Sequence, residues 1–375
     1  MANQISIYTS SSNINEQKAN NSLASSGYDQ FRDPQTPFSS LVLAVDELDN
    51  EFRNCDIVTT TKAGDDVPLV DIKLALMRWL EIINNRYAVN TIKSLNNDLT
   101  IYINLCHKFN INPFNITDRE FINITEQRRI DCKPSTMSRF CNSVSKFYDA
   151  LKIDNPMKDE LVKSVMVKHK KEKGGAQGQA APLNFSMLDE LYEVLGSSND
   201  IADTRDLVVL SLMLECLMRR AEIVEIQVEH LIVDEEVPLL LVPRSKTDQD
   251  GSDQAIVPFS QRTHRLINKW LRMSGITSGY LVRGLKRTKE VRDTKSDVCI
   301  VNKIAKRASD ILGLEISLSG HSGRVGGIQE LVVAGHTETA IQLNARLKTG
   351  HMVTRYARRT TATKLPMRDF LKNTK

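Results

Sequence analysis

A histidine and an arginine stand three residues apart in Leu318-Ser319-Gly320-His321-Ser322-Gly323-Arg324-Val325-Gly326. On a helix, side chains at that spacing share a face. An imidazole beside a planar guanidinium suits the oxygens of a phosphate. Alone, the pair fits equally well a surface His and Arg on a glycine-rich helix start. Three further segments surround it. Leu217-Met218-Arg219-Arg220-Ala221-Glu222-Ile223 sits in an apolar stretch that reads as helix. Arg244-Ser245-Lys246-Thr247 precedes an Asp/Gly-rich turn between two apolar, strand-like runs. Met352-Val353-Thr354-Arg355-Tyr356-Ala357-Arg358-Arg359 sets one tyrosine among three arginines. The order is an arginine on a helix, a lysine on a hairpin, a His-x-x-Arg, then a tyrosine.

These segments, taken together and in this order, resemble the tyrosine recombinase (phage integrase) family, and within it most closely Cre recombinase and its plasmid and phage relatives. The resemblance covers most of the chain after its N-terminal segment and is densest from Arg205 onward. It implies site-specific DNA recombination through a covalent 3′-phosphotyrosine. Breaking a phosphodiester puts charge on the non-bridging oxygens, and fixed cationic donors stabilise that charge. Arg219 and Arg324 fit that role, with Arg220 the neighbour that confuses the first assignment. The plainer alternative for Arg219 is an ion pair with Glu222 or Glu215, and for Arg324 a similar surface pair. Tyr356 is the expected nucleophile. A free phenol has a pKa of about 10 and needs a proton acceptor near neutral pH; His321 is the expected one. The alternative is a half-buried core tyrosine. Lys246, by the resemblance, protonates the leaving 5′ oxygen; without it, Lys246 is an exposed turn lysine. Glu222 either orients Arg219 or forms a plain salt bridge.

One position departs from the family pattern. A His or Trp normally stands nine residues before the nucleophile, and here that residue is Leu347. Leucine donates no hydrogen bond. Activity is then reduced, or packing suffices, or His351 substitutes; packing is the preferred account.

The elements that must position these groups fall into two domains, and the 375 residues suffice for two full cores. Residues 1–36 are rich in Ser, Asn and Gln and read as disordered. Residues 37–172 read as a helical, DNA-clamping domain, beginning with a helix from Phe38 to Phe52. From about Val70 to Val167 the pattern is all helical, without a strand signal. Thr117-Asp118-Arg119-Glu120 has the form of a capping box, and Pro134 opens a helix. The Gly- and Gln-rich stretch 173–182 reads as the linker. Residues 183–375 read as a catalytic domain, mostly helical with a small antiparallel sheet. Its strands are expected at Leu231–Val242 and Gln254–Phe259, with Pro238 marking an edge or a break. The basic stretch after Tyr280 reads as loop. A C-terminal tail with Leu365, Phe370 and Leu371 on one side is expected to dock on a neighbouring protomer, or else on its own domain. The fold class is thus mainly α.

The net charge of +4 is modest, so the clustering of basic residues carries more weight than their sum. Thr91, Lys93, Ser94, Ser135, Arg139 and Lys146 lie on helices near Asn90 and Pro134 and are candidates for duplex contact. Lys170 and Lys171 form a second cluster, and Arg283, Lys286 and Arg287 a third. Each taken singly also reads as a solvated polar face. The cysteines Cys55, Cys106, Cys132, Cys141, Cys216 and Cys299 form no C-x-x-C pair, which speaks against zinc and for a reducing compartment. No apolar run reaches membrane-spanning length. The expected partners are double-stranded DNA with inverted-repeat sites and three further copies of the chain, giving a homotetramer on two sites. No metal or cofactor is expected, and the location is cytoplasmic. A DNA-binding protein of the same fold with weakened catalysis, and a type IB topoisomerase, are the alternatives.

Overall fold

The computed structural model describes residues 41–42, 57–174, 178–233, 236–242 and 255–361. Residues 1–36, most of the helix expected from Phe38, Lys246, and the tail with Leu365, Phe370 and Leu371 lie outside them. The chain divides into two compact units between positions 177 and 178. Among the described residues no helix is long and apolar enough to cross a membrane.

The first unit opens with a short antiparallel hairpin, β1 (Ile57–Thr60) and β2 (Asp66–Pro68). The hairpin precedes the stretch read as all helical, and turn chemistry makes it. Gly64 adopts φ +93°, and the Thr61 amide donates to the Asp65 carbonyl across the turn at 2.8 Å. Five helices follow: α1 (Leu69–Arg86), α2 (Val89–Lys108), α3 (Asp118–Ile130), α4 (Pro134–Leu151) and α5 (Glu160–Lys173). The expected capping box is present, with Thr117 and Glu120 each satisfying the other's backbone amide. On α4, Met137, Phe140, Cys141, Val144, Phe147, Tyr148 and Leu151 recur at helical spacing and are buried. The Tyr102 and Tyr148 hydroxyls both reach the Pro113 carbonyl, at 3.0 and 2.6 Å, so the bundle core buries two phenols with their polar ends satisfied.

The second unit is built around one helix. It contains α6 (Phe185–Leu195), α7 (Ile201–Glu215), α8 (Arg220–Glu225), α9 (Gln261–Ser274), α10 (Cys299–Ile311), α11 (Ser322–Val333), α12 (Glu338–Asn344) and α13 (His351–Thr361). Every residue of α7 from Asp203 to Leu214 is buried. A helix apolar all round has no solvent face and must be a core helix; α6, α9, α10 and α11 pack on it. Its three charged residues near the start are matched: Arg307 bridges Asp203 and Asp206, and Arg205 pairs with Asp206.

The small sheet runs β3 (Leu231–Ile232), β4 (Leu239–Val242), β5 (Ala255–Pro258), all antiparallel. The single expected run from Leu231 to Val242 is therefore two strands, broken before Leu239. Pro238 stands at the break and offers its carbonyl to the Phe259 amide at 2.9 Å. The basic stretch after Tyr280 is a correction to the sequence reading. It is a hairpin, β6 (Arg283–Leu285) and β7 (Val291–Lys295), rather than a loop. Its charged residues have weak strand preference, and the turn sets the pairing instead. Lys289 takes φ +65°, and the Lys286 amide donates to the Glu290 carbonyl at 2.9 Å.

Helix α11 lies on α7 through glycines. A Cβ at Gly323 would stand 2.6 Å from the Met213 backbone, and one at Gly326 only 1.7 Å from the Leu183 carbonyl oxygen. Neither obstacle is a flexible side-chain end, so the helix would have to move. Gly326→Ala is expected to destabilise the protein by at least about 1–3 kcal/mol through overpacking. Denaturant unfolding checks this, and an unchanged midpoint would show that α11 tolerates displacement.

Candidate active site

Helix α7 stops at Glu215, and Leu217 turns the chain with φ +50°, a left-handed conformation rare for a branched residue. Arg219 is consequently not on a helix, as the sequence suggested. It is the cap residue of the next helix, α8. Leu217 also breaks the apparent continuity of the apolar stretch. The break turns Arg219 toward the site, while Arg220 lies exposed.

Arg219 donates from Nη1 to Glu222 Oε1 at 2.6 Å, and its amide donates to Oε2 of the same carboxylate at 3.0 Å. Glu222 is buried. Burial alone would raise its carboxyl, but the Arg346 guanidinium, then the Arg219 amide and guanidinium, hold it below the usual carboxylate range. It therefore stays charged. The ion pair expected as the plain alternative for Arg219 is thus present, in a buried place.

His321 caps α11 and Arg324 sits in that helix's first turn. Arg324 is not a surface arginine; its relative exposure is 0%. Its Nη1 donates to the Leu217 carbonyl at 2.6 Å, and its Nη2 bonds the Ala345 carbonyl. Burial first, then Arg219 and Arg346, pull its pKa down to about 10, which leaves it protonated at neutral pH. Arg219 keeps 19% side-chain exposure and is the guanidinium with access to the surface.

Tyr356 lies on α13, and its hydroxyl is 2.8 Å from His321 Nε2. The rings are tilted at 43° with centroids 5.6 Å apart. Burial, then Arg324, Arg219 and Arg220, lower the His321 pKa to about 4. The imidazole is neutral at physiological pH, and with its proton on Nδ1 it accepts from the phenol. Helix α13 is held by its own backbone: Gln179 and Gln329 donate to the Tyr356 carbonyl at 2.8 and 3.1 Å. Arg219, Glu222, His321, Arg324 and Tyr356 thus meet in one place. Lys246 falls in the stretch between β4 and β5 that lies outside the described residues.

Leu347 is buried in an apolar cluster with Leu217, Ile328, Ile341, Ala345 and Val353, against which Tyr356 is partly packed. His351, the alternative donor, begins α13 at an exposed position. Sequence reasoning missed Arg346. Its side chain is largely covered, it adopts φ +51°, and it donates to Glu222 Oε2 at 3.0 Å. An arginine one position from the expected donor carries no sequence signal of its own. Among the described residues no group of three or more His, Cys, Asp or Glu is placed to hold a metal ion.

The candidate DNA contacts divide by how far each is committed elsewhere. Arg139 lies 3.0 Å from the buried Asp98 and balances its charge. Lys146 sits over the Tyr87 ring at 5.2 Å. Arg283 donates to the Tyr280 and Ser278 carbonyls at 2.9 and 2.6 Å, and so braces its own hairpin. Lys286 pairs with Glu290 at 2.8 Å, an exposed contact that exchanges readily. Thr91, Lys93, Lys170, Lys171 and Arg287 are exposed, and Ser94 is half-buried.

Residues 183–363 match the phage integrase family. An integrase/recombinase XerD homolog from Selenomonas ruminantium is 26% identical over 278 residues, covering 72% of this chain and 81% of that protein. XerH recombinase bound to its difH substrate has a similar fold, with a TM-score of 0.54 at 12% identity, covering 85% of this chain and 92% of that one. A lambda integrase dimer on a core site gives a TM-score of 0.52 at 14% identity over 76% of this chain and 94% of that one. The match to the phage integrase family, the tyrosine recombinases, thus lies in the second unit of the chain.

Folding lowers the proton affinity of His321, so the unfolded chain binds that proton more readily. Stability is then lost as pH falls from about 6.5 toward about 4. In the free protein the His321 ring is expected to remain neutral at pH 5.5 by histidine NMR, and His321→Asn should lessen the acid loss. A ring that titrates near 6.5 contradicts the buried arrangement.

Proposed function

We propose that this protein is a site-specific DNA recombinase that cuts and rejoins strands through a covalent 3′-phosphotyrosine. The observation that carries the reading is the 2.8 Å contact between the Tyr356 hydroxyl and a neutral His321, beside two guanidiniums and a buried carboxylate. The Tyr356 oxygen attacks the scissile phosphorus, and His321 takes the phenolic proton as the bond forms. The bond from phosphorus to the 5′ oxygen breaks, and Lys246 supplies the proton to that leaving oxygen. The 5′ hydroxyl of a partner strand then attacks the phosphotyrosine, and the proton movements reverse. Bond energy is kept in the phosphotyrosine, so rejoining requires no nucleotide cofactor.

Arg219 is the guanidinium able to meet a non-bridging oxygen directly, since it retains surface. Arg324 supplies charge from beneath. The apolar packing at Leu347 supports the account in which shape, rather than a donor, suffices at that position. Four protomers on two inverted-repeat sites, and duplex contacts from Thr91, Lys93, Lys170, Lys171 and Arg287, complete the reading. A cytoplasmic location accords with it. The XerH and lambda integrase structures are described as DNA complexes, which supports duplex DNA as the partner here.

Full-length protein mixed with fragmented genomic DNA of its source cell, trapped in detergent, should carry covalently attached DNA whose sequence reveals the site. A nicked duplex of that sequence then measures cleavage alone. Tyr356→Phe is expected to abolish the covalent product, and Arg219→Ala to slow its formation by about 10²–10³-fold, as loss of an oxyanion donor does. Supercoil relaxation without strand exchange would favour the topoisomerase alternative. DNA binding without any covalent product would favour a binding protein.

A further inference from the structure

Two of the site's three guanidiniums, those of Arg219 and Arg346, share one carboxylate, and Arg346 has no assigned role. Arg346 closes a ring with the other two members of the Arg219 support. Arg219 Nη1 donates to Glu222 Oε1 at 2.6 Å, Arg346 Nη2 donates to Glu222 Oε2 at 3.0 Å, and Arg219 Nη2 donates back to the Arg346 carbonyl at 3.2 Å. One residue thus grips Arg219 twice, through its backbone and through the shared carboxylate. Both grips depend on the left-handed φ of +51° at Arg346, which turns carbonyl and side chain toward the same neighbours.

Arg346 also bonds the turn that carries Arg219. Nη1 reaches the Cys216 carbonyl at 3.2 Å, and Nη2 the Leu217 carbonyl at 3.2 Å. Leu217 is the other left-handed residue of the site, and its carbonyl also accepts from Arg324. Two strained residues therefore face each other, held by one buried guanidinium. Conformations of this kind persist only where the surroundings enforce them.

We propose that Arg346 is a positioning residue of the cleavage reaction, fixing Arg219 through Glu222 and the Cys216–Leu217 turn. It stands next to Leu347, at the place where the family's donor is missing, and it answers the same need differently. It does not reach outward to a phosphate; its side chain is only 6% exposed. It holds rigid the guanidinium that does. This rests on the recombinase reading above.

The test is a double-mutant cycle on the full chain, using a nicked duplex of the sequence recovered with covalently trapped protein. Arg346→Ala is expected to leave duplex affinity within about threefold and to slow covalent-complex formation by about a hundredfold, the scale of a small misplacement of a reacting group. In an Arg219→Ala background the same change should add less than about threefold, because residues acting as a unit are non-additive. Arg346→Lys should recover at least about tenfold over the alanine variant by keeping a charge on Glu222, and Arg346→Gln should recover less. Wild-type cleavage by Arg346→Ala, or losses that multiply with those of Arg219→Ala, would overturn the proposal. If the alanine variant does not fold, the lysine and glutamine variants carry the cycle, judged by the same non-additivity. Absence of a covalent complex with the unsubstituted protein would instead sink the recombinase reading itself.

Discussion

A buried cation must find its hydrogen bonds inside the protein or leave the interior. That constraint shapes the second unit. Arg324 has no exposed surface, and an unpaired charge in an apolar interior is costly. The chain answers with backbone carbonyls and one carboxylate. Leu217 and Ala345 turn their carbonyls to Arg324, and Glu222 serves Arg219 and Arg346. Three guanidiniums against one carboxylate leave an excess of positive charge at the site. The mutual repulsion is visible in Arg324, whose proton affinity falls partly through its two cationic neighbours. On the recombinase reading, a scissile phosphate supplies the missing negative charge. The same excess keeps His321 neutral, and a neutral imidazole is the form that can receive the Tyr356 proton.

The supports of this charge cluster are mainly shape. Helix α7 is buried on all sides and gives the unit a fixed axis. Helix α11 approaches it closely because Gly323 and Gly327 carry no side chain, and that approach brings Arg324 under the Leu217 carbonyl. Helix α13 is secured differently. Gln179 and Gln329 bond the Tyr356 carbonyl, so this tyrosine is held by its backbone while its hydroxyl faces His321. Gln179 lies in the Gly- and Gln-rich stretch read as the linker, which therefore has a contact of its own with the Tyr356 helix.

Much of this was legible in the residues, for physical reasons that differ by element. The helices of the first unit show a regular apolar period, and the capping box at Thr117 is a local signal that needs no tertiary help. His321 and Arg324 share a helix start and were readable together. Arg219 was readable as a residue but not as a position. The apolar run Leu207–Leu217 continues a helical pattern straight through the break, and only tertiary carbonyl bonds to Arg324 and Arg346 explain why Leu217 turns left-handed. The β6–β7 hairpin was missed because charged residues make poor strand signals. Arg139 looked like a surface contact until Asp98, remote in sequence, proved to lie buried beside it.

Position 347 shows how one chemical need admits two structural answers. On the recombinase reading, a donor there would act on the scissile phosphate itself. Leucine instead completes an apolar cluster that reaches the Tyr356 ring, which restricts where that ring can go. The neighbouring Arg346 turns inward through its left-handed backbone and stiffens the opposite side of the site, where Arg219 is held. A leucine at position 346 could not balance Glu222. The left-handed φ at Arg346 is what separates the two roles, sending adjacent side chains to different surroundings. The placing of Tyr356 and of Arg219 thus draws on one short turn, set between α12 and the helix that carries Tyr356.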